Sequence, residues 1–302
     1  MTLSERRQVV VTGSGALCPA GIGAEALLQW RRQPGSATHV PDFRPADYIR
    51  NARQLRTMQR LFQLAASAAM LALRDAGFVT EEALSQQSVV PERAGTAVAV
   101  GDISPVTADL LQVLRDVPLR EGKPDWARFA EAGSHQLHPF RRLTLLPNMA
   151  AAHVSLLLGL CGPSCTFTSG ARAGEQAITE AVWMIADGHA DFMVVEAADT
   201  PDYAFTAQPV KEAAGALLLE ARSLAEQRGA GILAVCEQVE AWSGDATADA
   251  ESGPPWPAAP VAGSLLDAVA WVEQVRRGET AAAFHLPGLR LQAAGVAHGG
   301  EA

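Results

Sequence analysis

The feature that most restricts the fold of this chain is a strand, helix and strand pattern between residues 164 and 197. Ser164 to Ser169 (SCTFTS) has strand character, and Arg172 to Asp187 places apolar residues on one face of a helix that ends at Gly188. Phe192 to Ala197 (FMVVEA) is then a buried strand. Such a unit predicts parallel strands covered by a helix, and therefore an α/β fold.

Further apolar runs and periodic segments extend this pattern along the chain. The remaining predicted strands are Val9 to Val11, Ala94 to Gly101, Gly215 to Glu220 and Ile232 to Glu240, with a strand pair at Ala281 to His285 and Leu289 to Ala294. The predicted helices are Ala24 to Arg32, Leu55 to Ala76, Asn148 to Leu158 and Ser264 to Arg277. The segment from Ser243 to Pro260, rich in Gly, Asp, Ser and Pro, predicts a linker.

The composition argues against two classes of function. The 302 residues are 48% hydrophobic, which is enough to bury a large core and too much for a disordered protein. With 24 Lys and Arg against 33 Asp and Glu, the formal charge is −9, so the chain lacks the basic clusters that nucleic-acid binding needs. Prolines and glycines interrupt the uncharged stretch Leu143 to Ala171, so no apolar run long enough for a membrane span remains.

The cysteines and histidines do not predict a metal site. The four cysteines lie in apolar segments without zinc-type spacing, and the N-terminal MTLSERRQ lacks a secretory apolar segment. We therefore expect a reduced, cytoplasmic protein without a cofactor. His135 and His138 have no third ligand candidate and are interpreted as loop residues, while His153 is expected in the core or an interface and His189 on the surface.

The turn from Ser169 to Arg172 is the candidate functional site. Backbone N–H groups and the helix dipole stabilise negative charge where a strand ends and a helix begins. Gly170 and Gly174 permit a sharp turn there. Arg172 is either a solvated side chain or one that faces the site or an acidic partner group. Cys165, on the preceding strand, is expected to point into the core.

Residues 162–174 (GPSCTFTSGARAG) resemble the nucleophile elbow of the β-ketoacyl-acyl-carrier-protein synthases. Other motifs of that family match in the same order. They are the N-terminal VVVTGSGALCPAGIG, the segments Pro41 to Phe43 (PDF) and Arg56 to Arg60 (RTMQR), the run Leu146 to Ala151 (LPNMAA) and Val210 to Glu220 (VKEAAGALLLE). The resemblance covers most of Val9 to Glu240.

The resemblance implies a thiolase-like layered αβαβα fold with a truncated C-terminal half. Residues 1–242 would be the ketosynthase N-terminal-like region, 243–260 a linker and 261–302 a shortened remnant of the C-terminal half. The family's nucleophilic cysteine falls on Ala171, whose methyl group cannot form a thioester. A family histidine that opens the last long helix falls on Ser264, and no segment matches that of the second histidine.

The resemblance therefore implies a non-catalytic subunit similar to chain length factors, which pairs with a catalytic β-ketoacyl synthase as a heterodimer. The partner would perform decarboxylative Claisen condensation on acyl carrier protein, in polyketide, aryl-polyene or fatty-acid-type elongation. Residues 102–145 are expected to wall the acyl tunnel, and the strand Ser164 to Ser169 to extend the sheet across the dimer. The elbow residues and possible partner contacts are Thr168, Ser169, Gly170, Arg172, Gly174, Asn148 and Met149.

Two other functions stay open. A self-sufficient acyltransferase or hydrolase on a degenerate thiolase scaffold would use Ser169, although Phe167 replaces the first glycine of a G-x-S-x-G motif. An acyl-binding scaffold homodimer would need no catalytic partner. The Gly13-x-Gly15 pair predicts a tight turn rather than a dinucleotide site, because Cys18 stands where the next glycine of that fingerprint belongs. Chain length factors usually carry glutamine at the elbow, and Ala171 departs from that pattern.

Overall fold

The computed structural model describes residues 6–78, 89–101, 108–133, 135, 146–201, 210–238, 259, 261–280, 283–287 and 289–294. The helices within them are α1 (Ala24–Arg32), α2 (Ala52–Leu55), α3 (Arg60–Asp75), α4 (Ala108–Arg115), α5 (Trp126–Arg128), α6 (Met149–Leu158), α7 (Ala173–Ala186), α8 (Arg222–Gln227) and α9 (Gly263–Arg276). The strands are β1 (Val9–Cys18), β2 (Gly21–Ile22), β3 (Ala94–Val100), β4 (Leu119–Arg120), β5 (Lys123–Pro124), β6 (Ser164–Phe167), β7 (Phe192–Asp199), β8 (Ala213–Ala221), β9 (Ala234–Gln238), β10 (Phe284–Leu286) and β11 (Leu289–Ala293).

One mixed sheet of nine strands organises the described residues, in the order β10-β11-β9-β1-β8-β7-β3-β6, with β2 beside β1. Strands β6, β3 and β7 run parallel, and Ala97 of β3 lies opposite both Cys165 and Val195. The predicted strand, helix and strand unit is therefore confirmed, with β3 placed between its two strands. The pairs β7–β8, β8–β1, β1–β9 and β9–β11 are antiparallel.

Helices cover both faces of this sheet. Successive side chains of a strand point to opposite faces, so Ala97 and Val195 pack with α1, α7 and α9, while Val98 and Val194 pack with α3 and α6. Every residue of β1, β3, β7 and β8 is buried. The near-continuous apolar runs of these strands follow from this burial on both faces.

The predicted tight turn at Gly13 and Gly15 is wrong, because β1 continues through both glycines to Cys18. A Cβ on Gly13 or Gly15 would collide with the carbonyl oxygen of Ala72 or Ala68 in α3. The glycines therefore allow α3 to lie directly on the strand, which is a packing role rather than a ligand-binding one.

The helix predicted over Leu55 to Ala76 begins later in the structure, since only Leu55 of that range belongs to the preceding helix α2. Asn51 begins the short helix α2, and its Oδ1 accepts hydrogen bonds of 3.1 Å from the backbone N–H groups of Arg53 and Gln54. Helix α3 then begins only at Arg60. The long apolar face predicted for this region is confirmed for α3, which packs against β1 and β8.

The C-terminal elements join the same sheet. Helix α9 packs against β8 and α7, and the hairpin of β10 and β11 pairs with β9 at the edge far from β6. Of the layers that the resemblance implies, the described residues form one sheet and a helix layer on each face. Apart from residue 259, the expected linker 243–260 lies outside the described residues. No described helix is long and apolar enough to cross a membrane.

Candidate functional site

The elbow is a short turn between β6 and α7. After Phe167, the residues Thr168 and Ser169 lead to a 3-10 turn over Gly170–Arg172, and α7 begins at Ala173. Gly170 adopts φ 64°, a left-handed conformation that glycine tolerates without strain. The predicted sharp turn is thus confirmed. Ser169, Gly170 and Ala171 are exposed.

The polar side chains of the elbow bond to the first turns of α7. The Ser169 hydroxyl donates to Oε1 of Gln176, which is an amide oxygen and no general base. Arg172 Nε donates to Glu175 Oε1 at 2.9 Å. Arg172 is therefore engaged by a carboxylate in the first turn of α7.

Helix α9 lies against the elbow. A Cβ on Gly174 would stand 2.9 Å from the carbonyl oxygen of Val261 and 3.7 Å from Cβ of Ser264. Glycine at position 174 therefore permits the N-terminus of α9 to approach α7 closely, and α9 also contacts the turn at residues 170–172. The structure thus brings Ser264 to the elbow of Ala171, although the two positions are far apart in sequence.

A buried carboxylate that the sequence analysis did not identify fixes this approach. Asp199 ends β7, and its Oδ2 accepts backbone hydrogen bonds from Val261 at 2.9 Å and Ala262 at 2.7 Å. Burial raises the pKa of Asp199 to about 7, although the two N–H groups favour its charged form. The sequence signal for Asp199 is its position as an acidic residue at the end of the apolar run of β7.

Asn148 and Met149 lie elsewhere. They begin α6, which packs with α3 on the face of the sheet opposite to α7 and Ser264. The structure therefore groups Thr168, Ser169, Gly170, Arg172 and Gly174 around the elbow but does not place these two residues on the same face.

The histidines differ in environment as expected. His153 is 3% exposed, its ring centroid lies 5.8 Å from that of Phe62, and burial lowers its pKa, so it is a core residue. His189 and His135 are exposed, and His138 lies outside the described residues. Among the residues that the structure describes, no cluster of His, Cys, Asp and Glu could hold a metal ion.

Strand β6 forms one edge of the sheet, and its Cys165 faces α7. The expectation that Cys165 points into the core is only partly met, since the side chain is half-buried beside Glu180. Burial and the negative charge of Glu180 both raise the pKa of the Cys165 thiol, which disfavours the nucleophilic thiolate. A cavity of about 340 Å³ opens next to it, lined by Phe167, Glu175, Gln176, Thr179, Glu180, Trp183 and Pro287.

Comparison with known proteins places this arrangement in a family. The model of "Beta-ketoacyl synthase, N-terminal domain" matches residues 6–208. Nodulation protein E of Rhizobium leguminosarum bv. trifolii is 30% identical over 210 residues, which cover 65% of this chain and 47% of that protein. The chain spans about half the length of the curated relatives it matches.

Solved structures show the same fold. A chain of the AntDE:AntF complex, described as a type II PKS acyl-carrier protein in complex with its ketosynthase bound to the hexaketide, superposes with a TM-score of 0.69 at 20% identity. The match covers 95% of this chain and 99% of that one. The ishigamide ketosynthase/chain length factor superposes with a TM-score of 0.56 at 23% identity, over 76% of this chain and 62% of that one. The thiolase-like α/β fold is thereby confirmed.

Proposed function

Since this chain belongs to the β-ketoacyl synthase family through the N-terminal domain at residues 6–208, we propose that it is a non-catalytic, chain-length-factor-like subunit. It pairs with a catalytic β-ketoacyl synthase in chain elongation of the polyketide or fatty acid type on acyl carrier protein. The observation that carries the proposal is Ala171 in the turn between β6 and α7, where the resemblance places the nucleophilic cysteine.

The chemistry of the elbow supports this assignment. A methyl group has no lone pair with which to attack a thioester, so no acyl-enzyme can form at Ala171. Ser264 lies close to Gly174 of the elbow, and the resemblance assigns the family's histidine to this position. The hydroxyl of Ser264 does not titrate near neutral pH as an imidazole does. The acyl transfer and the decarboxylation therefore fall to the partner subunit.

The alternative enzyme has weaker support. Ser169 is exposed and well placed in the turn, but its described hydrogen bond goes to the amide of Gln176 rather than to a base. Cys165 has a raised pKa and is half-buried. The scaffold homodimer remains the second alternative, and it is tested by the oligomeric state below.

The edge position of β6 supports a partner subunit that adds a strand to the sheet beside β6. Among the described strands, β6 pairs with β3 alone, so the backbone groups on its outer side are available to a further strand. One matching solved chain comes from a complex of a ketosynthase with its acyl-carrier protein, and another is a ketosynthase/chain length factor. We propose the same kind of assembly here, with the strand at residues 164–167 continuing the sheet into the ketosynthase.

The remaining assignments complete the proposal. Residues 102–145 wall the end of the partner's acyl tunnel, and within this range the structure describes α4, the β4–β5 hairpin and α5. Residues 1–242 form the ketosynthase-like region, 243–260 the linker and 261–302 the remnant of the C-terminal half. The subunit acts in the cytoplasm.

Co-expression with a catalytic β-ketoacyl synthase of the same source organism tests the pairing. We expect a 1:1 heterodimer in light scattering after size exclusion, and product length that changes when the subunit is omitted. The proposal would be refuted if the chain forms a homodimer in the presence of the ketosynthase and if omitting it leaves product length and yield unchanged.

Intact mass spectrometry tests the absence of catalysis. Incubated with an acyl thioester, the isolated chain should gain no mass, whereas an Ala171→Cys variant supplies a thiol at the elbow as a positive control. Acylation of the wild-type chain that disappears in Ser169→Ala would instead establish the hydrolase or acyltransferase.

A further inference from the structure

The outer side of β6 and the adjoining face of α7 form a surface that we name the edge face, made of Cys165, Phe167, Gln176, Thr179, Glu180 and Trp183. All six residues are half-buried in the isolated chain. Five of them line the cavity of about 340 Å³, and Cys165 lies beside it through its electrostatic contact with Glu180. The edge face is therefore a partly desolvated surface that continues the open edge of the sheet.

Glu180 is the charged residue of the edge face. Its neighbour in the cavity lining, Glu175, pairs with Arg172 at 2.9 Å. Glu180 forms no ion pair within the described part of the chain. Its negative charge raises the pKa of the Cys165 thiol. Removing an unpaired carboxylate from water costs free energy, so an apolar surface would cover the edge face only at that cost. A partner that covers the edge face must therefore supply a positive charge to Glu180.

The cavity beside Glu180 fits a long cationic side chain. Phe167 and Trp183 supply aromatic surface to the same lining as the carboxylates of Glu175 and Glu180. Lysine and arginine pack their aliphatic stems on apolar surface and their cationic groups on aromatic faces. A carboxylate in the same lining completes the recognition.

A second copy of this chain does not meet that requirement. A two-fold dimer through β6 would pair identical strands antiparallel, and residues at equal distances on either side of the axis would lie opposite each other. Directly opposite side chains share a face of a sheet, so the axis would pass through a residue pair, and at the centre of the four-residue strand β6 that pair is Cys165 or Thr166. In either register the two Cys165 side chains lie on the same face near the axis, so the Glu180 carboxylates, which act on these thiols and line the cavity with Phe167, would both face the interface. Like charges in an interface oppose association.

We propose that Glu180 makes the edge face selective for a partner strand whose adjoining helix presents a lysine or arginine, and that it thereby prevents pairing with a second copy of this chain. This inference rests on the proposed function, because the partner is the catalytic ketosynthase. It adds the chemical reason for a heterodimer over a homodimer.

A charge-exchange experiment tests the proposal without the ketosynthase. Wild type alone and Glu180→Lys alone each place like charges at the axis, whereas their mixture pairs carboxylate with ammonium. We expect the mixture to associate at least tenfold more tightly in sedimentation velocity than either protein alone, and Glu180→Gln to self-associate more tightly than wild type. A mixture that associates no more tightly than wild type alone overturns the proposal.

Glu226→Lys is the matched control. Glu226 is exposed on α8, which packs against β1 and β8 rather than β6, so the variant changes the net charge equally without touching the edge face. It should not associate with wild type more tightly than wild type does with itself. Circular dichroism of each variant confirms that the fold is retained.

Binding to the co-expressed ketosynthase separates this inference from the proposed function. If wild type binds the ketosynthase and Glu180→Lys binds it at least tenfold more weakly, the result supports both the proposed function and the role of Glu180. Equal binding by the two proteins overturns the role of Glu180 and leaves the proposed function standing. If wild type does not bind the ketosynthase at all, the proposed function fails.

Discussion

Asp199 and Ala262 tie the C-terminal helix to the end of a central strand. The backbone N–H of Ala262 donates to Oδ2 of Asp199 at 2.7 Å, and the N–H of Val261 donates to the same oxygen at 2.9 Å. Ala262 is the N-cap of α9 and Val261 precedes it, so the carboxylate holds the backbone that leads into the helix. The position of Ser264 beside the elbow therefore depends on a contact between residues 63 positions apart in sequence.

The first prediction concerns the pH dependence of stability at Asp199. Its pKa is about 7 in the folded protein, against about 3.9 for an unfolded aspartate. Between these values the folded state binds more protons, so the free energy of unfolding falls as pH rises from about 4 to 7, by up to about 4 kcal/mol from this residue. Asp199→Asn should flatten that slope in urea unfolding measured from pH 4 to 8.

Asp116→Asn is the control for this titration, because Asp116 is exposed at the end of α4. It should keep the wild-type slope. An Asp199→Asn variant whose unfolding free energy still parallels the wild type across this range would contradict the role of burial at Asp199.

The second prediction concerns the close approach of α7 and α9. A Cβ at position 174 would stand 2.9 Å from the carbonyl oxygen of Val261, which is backbone and cannot rotate away. Gly174→Ala should therefore destabilise the protein by about 1–3 kcal/mol in urea unfolding. Gly231→Ala, where no atom lies within 4 Å of the new methyl group, should change stability little. Equal effects of the two substitutions would contradict the packing of α9 on the elbow helix.

The third prediction concerns Thr96 and Glu196 inside the sheet. The Thr96 hydroxyl donates to Oε1 of Glu196 at 2.8 Å, and burial raises the pKa of this fully buried glutamate well above its usual value. Thr96→Val removes the donor and should cost about 1–3 kcal/mol, because it leaves a buried polar group unsatisfied. The double variant Thr96→Val with Glu196→Met should be more stable than Thr96→Val alone. A double-mutant cycle in guanidinium chloride measures this, and additive losses would count against the pair.

The fourth prediction concerns Glu212, which is 2% exposed and binds Arg60 at 2.7 and 2.9 Å. Burial opposes its ionisation, but the hydrogen bonds from Arg60, the Val40 N–H and His39 prevail and lower the pKa of Glu212. A depressed pKa contributes stability above the unfolded value of about 4.3, and this stability is lost as pH falls through the lower folded pKa.

Glu212→Gln should therefore lose about 1–3 kcal/mol at pH 7 and progressively less below about pH 4. Guanidinium unfolding at pH 7 and pH 3 compares the two conditions. Glu226→Gln, which breaks an exposed pair with Arg222, should cost less than about 1 kcal/mol at either pH. A loss at Glu212 that stays constant with pH would show that its charge contributes nothing.

Local pattern was sufficient to locate most elements. The helix predicted over Arg172 to Asp187, with Gly188 as its cap, spans Ala173–Ala186, and the strand predicted from Phe192 begins at Phe192. Apolar periodicity and glycine stops act over a few residues, so local pattern is enough to predict them. The same local reading failed at Gly13 and Gly15. Their absent side chains accommodate α3, and a close approach between distant segments leaves no local signal that distinguishes it from a turn.

The sequence by itself determined the α/β class, the elbow over residues 169–172 and the alanine at its centre, since a residue's chemistry and the period of its neighbours are properties of the chain. Only the tertiary structure decided that Ser264 reaches this elbow, that Asp199 holds it there, and that β6 is the open edge of the sheet with Glu180 beside Cys165. Those relationships join residues far apart in the chain. They depend on strand order and helix packing, which the pattern of any one segment leaves undetermined.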